Sequence, residues 1–143
     1  MSLNIEFVNL DLSTLAMSMG KTQKEADQAL QNFAAEERIT MSDTYFFEFV
    51  VTQGTKRNVT YLSYGVVPDD TKAKSGIQVA QLKHQNFVKV VVPEDEFRLV
   101  FESDLGEEIQ DALKAKGYKL DMSKVFGLIK KEASNYYLYF QYK

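Results

Sequence analysis

The 143-residue chain contains no cysteine, no tryptophan, one histidine and two prolines. The absence of cysteine excludes disulfides, thiolate metal sites and cysteine nucleophiles. His84 alone cannot build a zinc site of the usual His and Cys type. Lys and Arg number 17 against 20 Asp and Glu, a net charge of -3, and no basic run exceeds a pair. We therefore expect no direct contact with nucleic acid.

Long apolar runs are also missing. Every apolar stretch has the length of a strand, and residues 1–6 lack the basic and apolar parts of a signal peptide. These absences predict a cytoplasmic protein that does not act at a membrane. The hydrophobic content of 45% and the aromatic content of 13% are sufficient for one packed domain.

The pattern of apolar residues predicts the same strand–helix–hairpin order twice. In the first half, alternation over 5–19 indicates an interrupted strand, with a bulge or a turn near 9–11. Thr22 and Glu25 have the spacing of a capping box, so we expect a helix from there to about Arg38. The aromatic segment 45–52 and the segment 58–67 predict a hairpin.

In the second half, segments 77–82 and 87–92 predict strands, and Phe97, Leu99 and Phe101 alternate as in a further strand. A helix is expected from Ser103 or Asp104 to a left-handed turn at Gly117. A final hairpin is expected over 124–142. The polar connection 72–76 is the predicted boundary, which gives one domain over 1–143 with halves at about 1–70 and 76–143.

Four segments resemble the GyrI-like effector-binding domains, which also occur as ligand-sensing modules of bacterial multidrug-responsive transcription activators. They are the Tyr-Gly-Val element at 64–66, the strand at 77–80, the segment 92–101, and 117–120 with 125–126. The resemblance implies an α+β fold: two fused β-α-β-β units with pseudo-twofold symmetry, an antiparallel sheet and two helices packed on it.

The chain departs from this family at two points. Gly127 follows Phe126 where members that bind cationic drugs have a buried Glu, so that carboxylate cannot be carried over. A DNA-binding helical region is also not expected before the domain, which argues against a transcription activator unless another chain contacts DNA.

A seam between two fused halves is a natural place for a ligand. Glu48 lies in an aromatic strand, and alternation leaves open whether it faces such a cleft or solvent. The tyrosines offer large apolar surfaces and hydroxyls. The candidate ligand-binding residues, each also explicable by ordinary packing or solvation, are Glu48, Tyr61, Tyr64, Phe101, Glu102, Tyr118, Tyr137 and Tyr139.

The pattern favours a stand-alone small-molecule binding protein with an aromatic cleft between its halves. Its ligand would be an amphipathic compound, for which a cation is one option. The alternative is an accessory factor that binds a protein partner and has no ligand of its own. Neither a nucleophile–base pair nor a metal set is recognisable, so we expect no enzyme activity, no catalytic residues, no metal and no cofactor.

Overall fold

The computed structural model describes residues 4–74, 76–82, 85–101, 105–121 and 127–143. Strands alternate with helices throughout, which establishes a mixed α+β fold. In chain order the elements are β1 (Ile5–Asn9), β2 (Thr14–Gly20), α1 (Gln23–Glu36), β3 (Thr44–Gln53), β4 (Lys56–Val66), β5 (Gln78–Gln81), β6 (Asn86–Pro93), a 3-10 turn (Glu94–Glu96), α2 (Phe97–Phe101), α3 (Leu105–Lys114), β7 (Gly127–Glu132) and β8 (Asn135–Gln141).

The chain forms two compact units. The N-terminal unit is Leu12–Leu82, and the C-terminal unit combines Met1–Asp11 with Lys83–Lys143. The strand order is β3-β4-β2-β5 in the N-terminal unit and β7-β8-β6-β1 in the C-terminal unit. Neighbouring strands within each unit are antiparallel.

Both units have the same connectivity. A strand leads through a helix into a hairpin, and the second hairpin strand pairs with the strand that preceded the helix. In the N-terminal unit these elements are β2, α1 and β3–β4, and in the C-terminal unit they are β6, the helices α2 and α3, and β7–β8. The predicted repeat of strand, helix and hairpin is confirmed, while the pseudo-twofold axis stays a prediction.

The boundary between the two units does not lie at the polar connection 72–76. Strand β5 follows that connection and pairs with β2, whereas β1 pairs with β6 of the C-terminal unit. The first strand therefore belongs to the C-terminal unit, and its interruption is a passage from one unit to the other. Alternation in a sequence identifies an extended segment but carries no information about its pairing partner.

Helix α1 begins after the predicted N-cap residue Thr22, but the return bond of Glu25 goes to Lys21 and not to Thr22. The Thr22 hydroxyl accepts from the backbone N–H of Glu25 at 3.1 Å, and the Glu25 carboxylate accepts from the N–H of Lys21 at 2.9 Å. The helix ends at Glu36, two residues before Arg38, whose φ of 55° is left-handed. Its buried side, which packs on β2 and β4, consists of Ala26, Leu30, Phe33 and Ala34.

The strand predicted over 96–101 was wrong, because these residues form the 3-10 turn and helix α2. Within the helix Phe97 and Val100, three residues apart, are both buried, while Leu99 is 64% exposed. Apolar residues at 97, 99, 100 and 101 satisfy a short helix as well as a strand, and five residues are too few to separate the two periods.

Helix α3 ends in the predicted left-handed turn. Gly117 has a φ of 79°, and the Tyr118 N–H donates to the Leu113 carbonyl at 2.9 Å. The final hairpin is also confirmed, with its turn between Glu132 and Asn135. The proposed caps at 103–104 and the strand start at 124–126 lie outside the described residues.

Candidate functional site

Two of the predicted tyrosines lie side by side on one face of the C-terminal sheet. Tyr137 and Tyr139 alternate along β8, and Lys89 of β6 lies directly opposite Tyr139 in the ladder. The Lys89 ammonium is 4.8 Å from the Tyr137 ring centroid, and the Phe87 and Tyr139 rings meet edge to face at 6.5 Å. We call Phe87, Lys89, Tyr137 and Tyr139 the tyrosine face.

The tyrosine face combines aromatic surface with positive charge. Lys89, Tyr137 and Tyr139 are half-buried. Lys130 of β7 is the ladder partner of Tyr137 on its other side, and its ammonium lies 3.5 Å from the Glu132 carboxylate. A ligand on this face would meet two phenol hydroxyls and the Lys89 ammonium.

Glu48 belongs to the N-terminal unit. It is 5% exposed, it opposes Tyr61 in the β3–β4 ladder, and it is therefore not on a solvent face. Two residues along β4, on the same side as Tyr61, Ser63 contacts helix α1 through Asp27. Glu48 and Tyr61 thus lie on the helix side of the N-terminal sheet.

Tyr64 lies on the opposite side of that sheet, since it is three residues from Tyr61 on β4 and pairs with Tyr45. It is almost fully buried, and burial raises the pKa of its hydroxyl to about 12 because a phenolate would be poorly solvated there. Tyr64 is therefore a neutral core residue at physiological pH. Glu48 and Tyr64 do not share one surface.

Tyr118 joins an aromatic cluster that the sequence did not indicate. Its ring is 4.9 Å from that of Tyr142 and 6.4 Å from that of Phe7, and Phe7 meets Tyr142 edge to face at 5.6 Å. Burial, with a smaller effect of Tyr118, raises the pKa of Tyr142.

A cavity of about 470 Å³ adjoins Tyr118 and is lined by Gln110, Leu113, Lys114, Gly117, Tyr118, Lys119 and Leu120.

The remaining candidates are Glu102 and the side chain of Phe101, which lie outside the described residues, as does His84.

Across the described part of the chain, no three His, Asp or Glu residues converge as metal ligands would. Among the helices of that part, none has the length and apolar character needed to cross a bilayer.

The contact of Lys89 with Tyr137 and that of Phe7 with Tyr118 were not predicted from the sequence. Lys89 is a charged residue inside an otherwise apolar strand. This departure from the apolar pattern is the sequence feature that could have marked Lys89 as a candidate site residue. Phe7 had no comparable signal, because its contact with Tyr118 depends on the pairing of β1 with β6.

No family model matches this chain, and no curated protein matches it. Among solved structures it is similar to an uncharacterized conserved protein from Listeria innocua, with a TM-score of 0.60 and 11% identity over 97% of this chain and 92% of that one. It is similar to the C-terminal domain of EcmrR, with a TM-score of 0.58 and 14% identity over 100% of this chain and 99% of that one.

EcmrR in a complex with DNA gives a TM-score of 0.59 and 14% identity. The match covers 99% of this chain and 57% of the EcmrR chain, so this chain spans little more than half of that protein. At these identities the comparisons establish a shared fold: this chain is folded like the C-terminal domain of EcmrR.

Proposed function

We propose that this chain is a small-molecule binding module of the GyrI-like type, and that its tyrosine face holds an amphipathic compound with an aromatic body. The observation that carries the proposal is the convergence of Tyr137, Tyr139 and Lys89 on one half-buried sheet face. Aromatic rings supply contact area at low entropic cost, and a few polar groups fix the orientation of the ligand. The fold is shared with the EcmrR C-terminal domain.

The position of Lys89, rather than the overall charge of this face, favours a neutral or anionic ligand over the cation that the family resemblance suggests, since Glu6 lies opposite Lys89 on β1 and Glu132 pairs with Lys130. Lys89 already lies over the Tyr137 ring, where an organic cation would otherwise bind by a cation–π contact. Lys130 is the ladder partner of Tyr137 on β7, but its charge is offset by Glu132. A carboxylate, sulfonate or phenolate placed beside Tyr137 would interact favourably with the Lys89 ammonium.

We infer binding rather than catalysis. Tyrosine hydroxyls and a lysine could act in acid–base chemistry, but an enzyme also needs a nucleophile or base with an orienting partner. The tyrosine face offers hydrogen-bond donors and apolar surface, which are the requirements of recognition. Steady turnover of a bound compound by the purified protein would contradict this part of the proposal.

Site-specific NMR tests the proposal. The protein has eight tyrosines and no tryptophan, so ¹³C-labelled tyrosine rings give a small set of signals that single Tyr→Phe variants assign. The probes are N-phenyl-1-naphthylamine, 8-anilinonaphthalene-1-sulfonate and rhodamine 6G, which are neutral, anionic and cationic. We expect the neutral or anionic probe to shift the signals of Tyr137 and Tyr139.

Tyr137→Leu and Tyr139→Leu should each weaken that binding roughly fivefold or more, since a lost aromatic contact costs about 1 kcal/mol. Tyr136→Leu is the matched control, because Tyr136 neighbours Tyr137 on β8 but points to the opposite face and stacks on Phe97 at 4.2 Å. If no probe shifts Tyr137 or Tyr139, or if all three variants bind alike, the tyrosine face is not the site.

A second candidate is the binding of a protein partner, favoured by two exposed apolar side chains. Met19 and Phe49, on the side of the N-terminal sheet away from α1, are 56% and 39% exposed. A Met19→Lys, Phe49→Lys double variant should then lose a partner that the wild-type protein captures, while keeping its circular dichroism spectrum. Equal capture by both proteins contradicts this candidate.

A further inference from the structure

We propose that the cavity at the C-terminal end of helix α3 is a second ligand site and that it takes a small aromatic anion. This cavity is separate from the tyrosine face. Tyr118 packs on Tyr142, whose side chain continues the alternation of β8 on the side opposite Tyr137 and Tyr139. The inference goes beyond the proposed function and does not depend on it.

The cavity is built on a well-fixed stretch of backbone. After α3 the chain turns at Gly117, and the Tyr118 N–H donates to the Leu113 carbonyl at 2.9 Å. Lys119 and Lys143 then exchange two backbone hydrogen bonds, at 2.9 and 2.8 Å, which join the turn to the end of the chain. A wall held in this way is pre-organised, so a ligand loses little free energy in ordering it.

The cavity also has an apolar interior and an aromatic wall. Leu120, which lines it, is half-buried, and Tyr118 is 41% exposed. Contacts with Tyr142 and Phe7 hold the Tyr118 ring on one side. Its exposed part is thus presented in a fixed orientation to an aromatic guest. A volume of about 470 Å³ is within the range of small-molecule pockets.

Positive charge surrounds the aromatic wall. Lys114 and Lys119 line the cavity, and the Lys116 ammonium lies 4.4 Å from the Phe7 ring centroid. Among the described residues that line the cavity, none is acidic. The two lysines that line the cavity, Lys114 and Lys119, repel a cation and attract an anion.

Lys114 and Lys119 are not needed as hydrogen-bond donors to the last carbonyls of helix α3. The carbonyls of Leu113 and Lys114 at the end of α3 already accept from the N–H groups of residues 116–118. The ammonium groups can therefore turn to a ligand without leaving these carbonyls unsatisfied. An apolar body with one acidic group matches both the surface and its charge.

The test uses 8-anilinonaphthalene-1-sulfonate as the probe and N-phenyl-1-naphthylamine, the same ring system without the sulfonate, as its control. In the 143-residue protein with ¹³C-labelled tyrosine rings, the anionic probe should shift the signals of Tyr118 and Tyr142. The neutral control should bind there at least roughly fivefold more weakly. Raised salt should weaken the anionic probe more than the neutral one, because the ammonium groups are exposed and screened.

The variant Lys114→Gln, Lys119→Gln should weaken the anionic probe at Tyr118 roughly fivefold to tenfold, as expected for two exposed charge contacts. Lys21→Gln, Lys24→Gln removes the same charge from exposed positions of the N-terminal unit and should leave this binding unchanged. Equal binding by the two variants overturns the proposal. So does a probe that shifts only Tyr137 and Tyr139, a result that would leave the proposed function standing.

Discussion

Ser63 on β4 donates a side-chain hydrogen bond to Asp27 on helix α1. The Gln23 amide donates to the same two groups, to the Asp27 carboxylate at 3.0 Å and to the Ser63 hydroxyl at 3.4 Å. Nearby, the Ser18 hydroxyl donates to the Ala26 carbonyl at 2.5 Å. These bonds fix the first turns of α1 at one position along the N-terminal sheet, where apolar packing alone would permit sliding.

Ser63→Ala should therefore lower the free energy of unfolding by about 1–2 kcal/mol, because it removes a buried hydroxyl that donates to Asp27 and accepts from Gln23. Urea unfolding followed by circular dichroism measures the change. Asn58→Ala, at an exposed position of the same strand, is the control and should stay within about 0.5 kcal/mol of wild type. Equal losses in the two variants would assign the effect to the strand and not to the contact with α1.

Two glycines of the C-terminal unit should respond to alanine with opposite signs. Gly117 has a φ of 79°, where an L residue is strained, so Gly117→Ala should destabilise by about 1 kcal/mol. Gly106 lies in the first turn of α3, and a Cβ there would meet open space. Gly106→Ala should stabilise by about 0.5 kcal/mol through helix propensity. Thermal unfolding of both variants measures the difference, and the same sign in both would contradict it.

Asp69 is predicted to be an unusually strong acid. The Ser13 and Thr14 hydroxyls donate to the same carboxylate oxygen at 2.5 and 2.7 Å, and these bonds, Ser13 first, lower the pKa of Asp69. The folded-state pKa is thus below the unfolded value of about 3.9. The stabilisation is present above that value and is lost as the pH falls through the folded pKa.

Carboxyl ¹³C NMR of the protein should show Asp69 titrating below the usual aspartate range. Ser13→Ala and Thr14→Val should each raise the pKa of Asp69 toward its ordinary value. Thr60→Val, at an exposed position of β4, should not change it. A normal titration of Asp69 in the wild-type protein would mean that the two hydroxyls do not donate to it in solution.

Signals that depend on a few neighbouring residues predicted the fold well. The N-cap at Thr22 and the left-handed turn at Gly117 are confirmed because their bonds lie within a few residues of the chain. The hairpins are confirmed for the same reason, since a short turn brings the second strand directly beside the first. Local chemistry decides such elements, so a single sequence is enough to recognise them.

Contacts between distant segments could not be predicted in this way. The pairing of β1 with β6 joins residues about 80 positions apart, as in the pair Phe7 and Val88, and alternation cannot specify it. The same limit applies to the candidate site. Tyr137 and Tyr139 share a face because they are two residues apart, but the Lys89 beside them comes from another strand. Glu48 and Tyr64 lie on opposite faces because their register puts Tyr61 across from Glu48.

Gly65 provides a test of packing between helix α1 and its sheet. It lies on β4 opposite Ala16, and a Cβ at this position would overlap the Sδ of Met41 and crowd Leu30. Met41 packs on the core cluster that contains Ala16 and Leu30, so its displacement also disturbs that cluster. Gly65→Ala should destabilise the wild-type protein by about 1–2 kcal/mol, because a well-packed core accommodates an added methyl group only through rearrangement.

In a Met41→Ala background the same substitution should lose its cost, because the overlapping atoms are gone. Alanine is also preferred to glycine within a strand by about 0.5 kcal/mol or more, so Gly65→Ala should then be neutral or stabilising. A double-mutant cycle measured by urea unfolding should give a coupling of at least about 1 kcal/mol between residues 41 and 65. Met41→Ala combined with Gly106→Ala should be additive, because Gly106 lies in the other unit. Additivity in both cycles would show that Met41 does not occupy the space above Gly65.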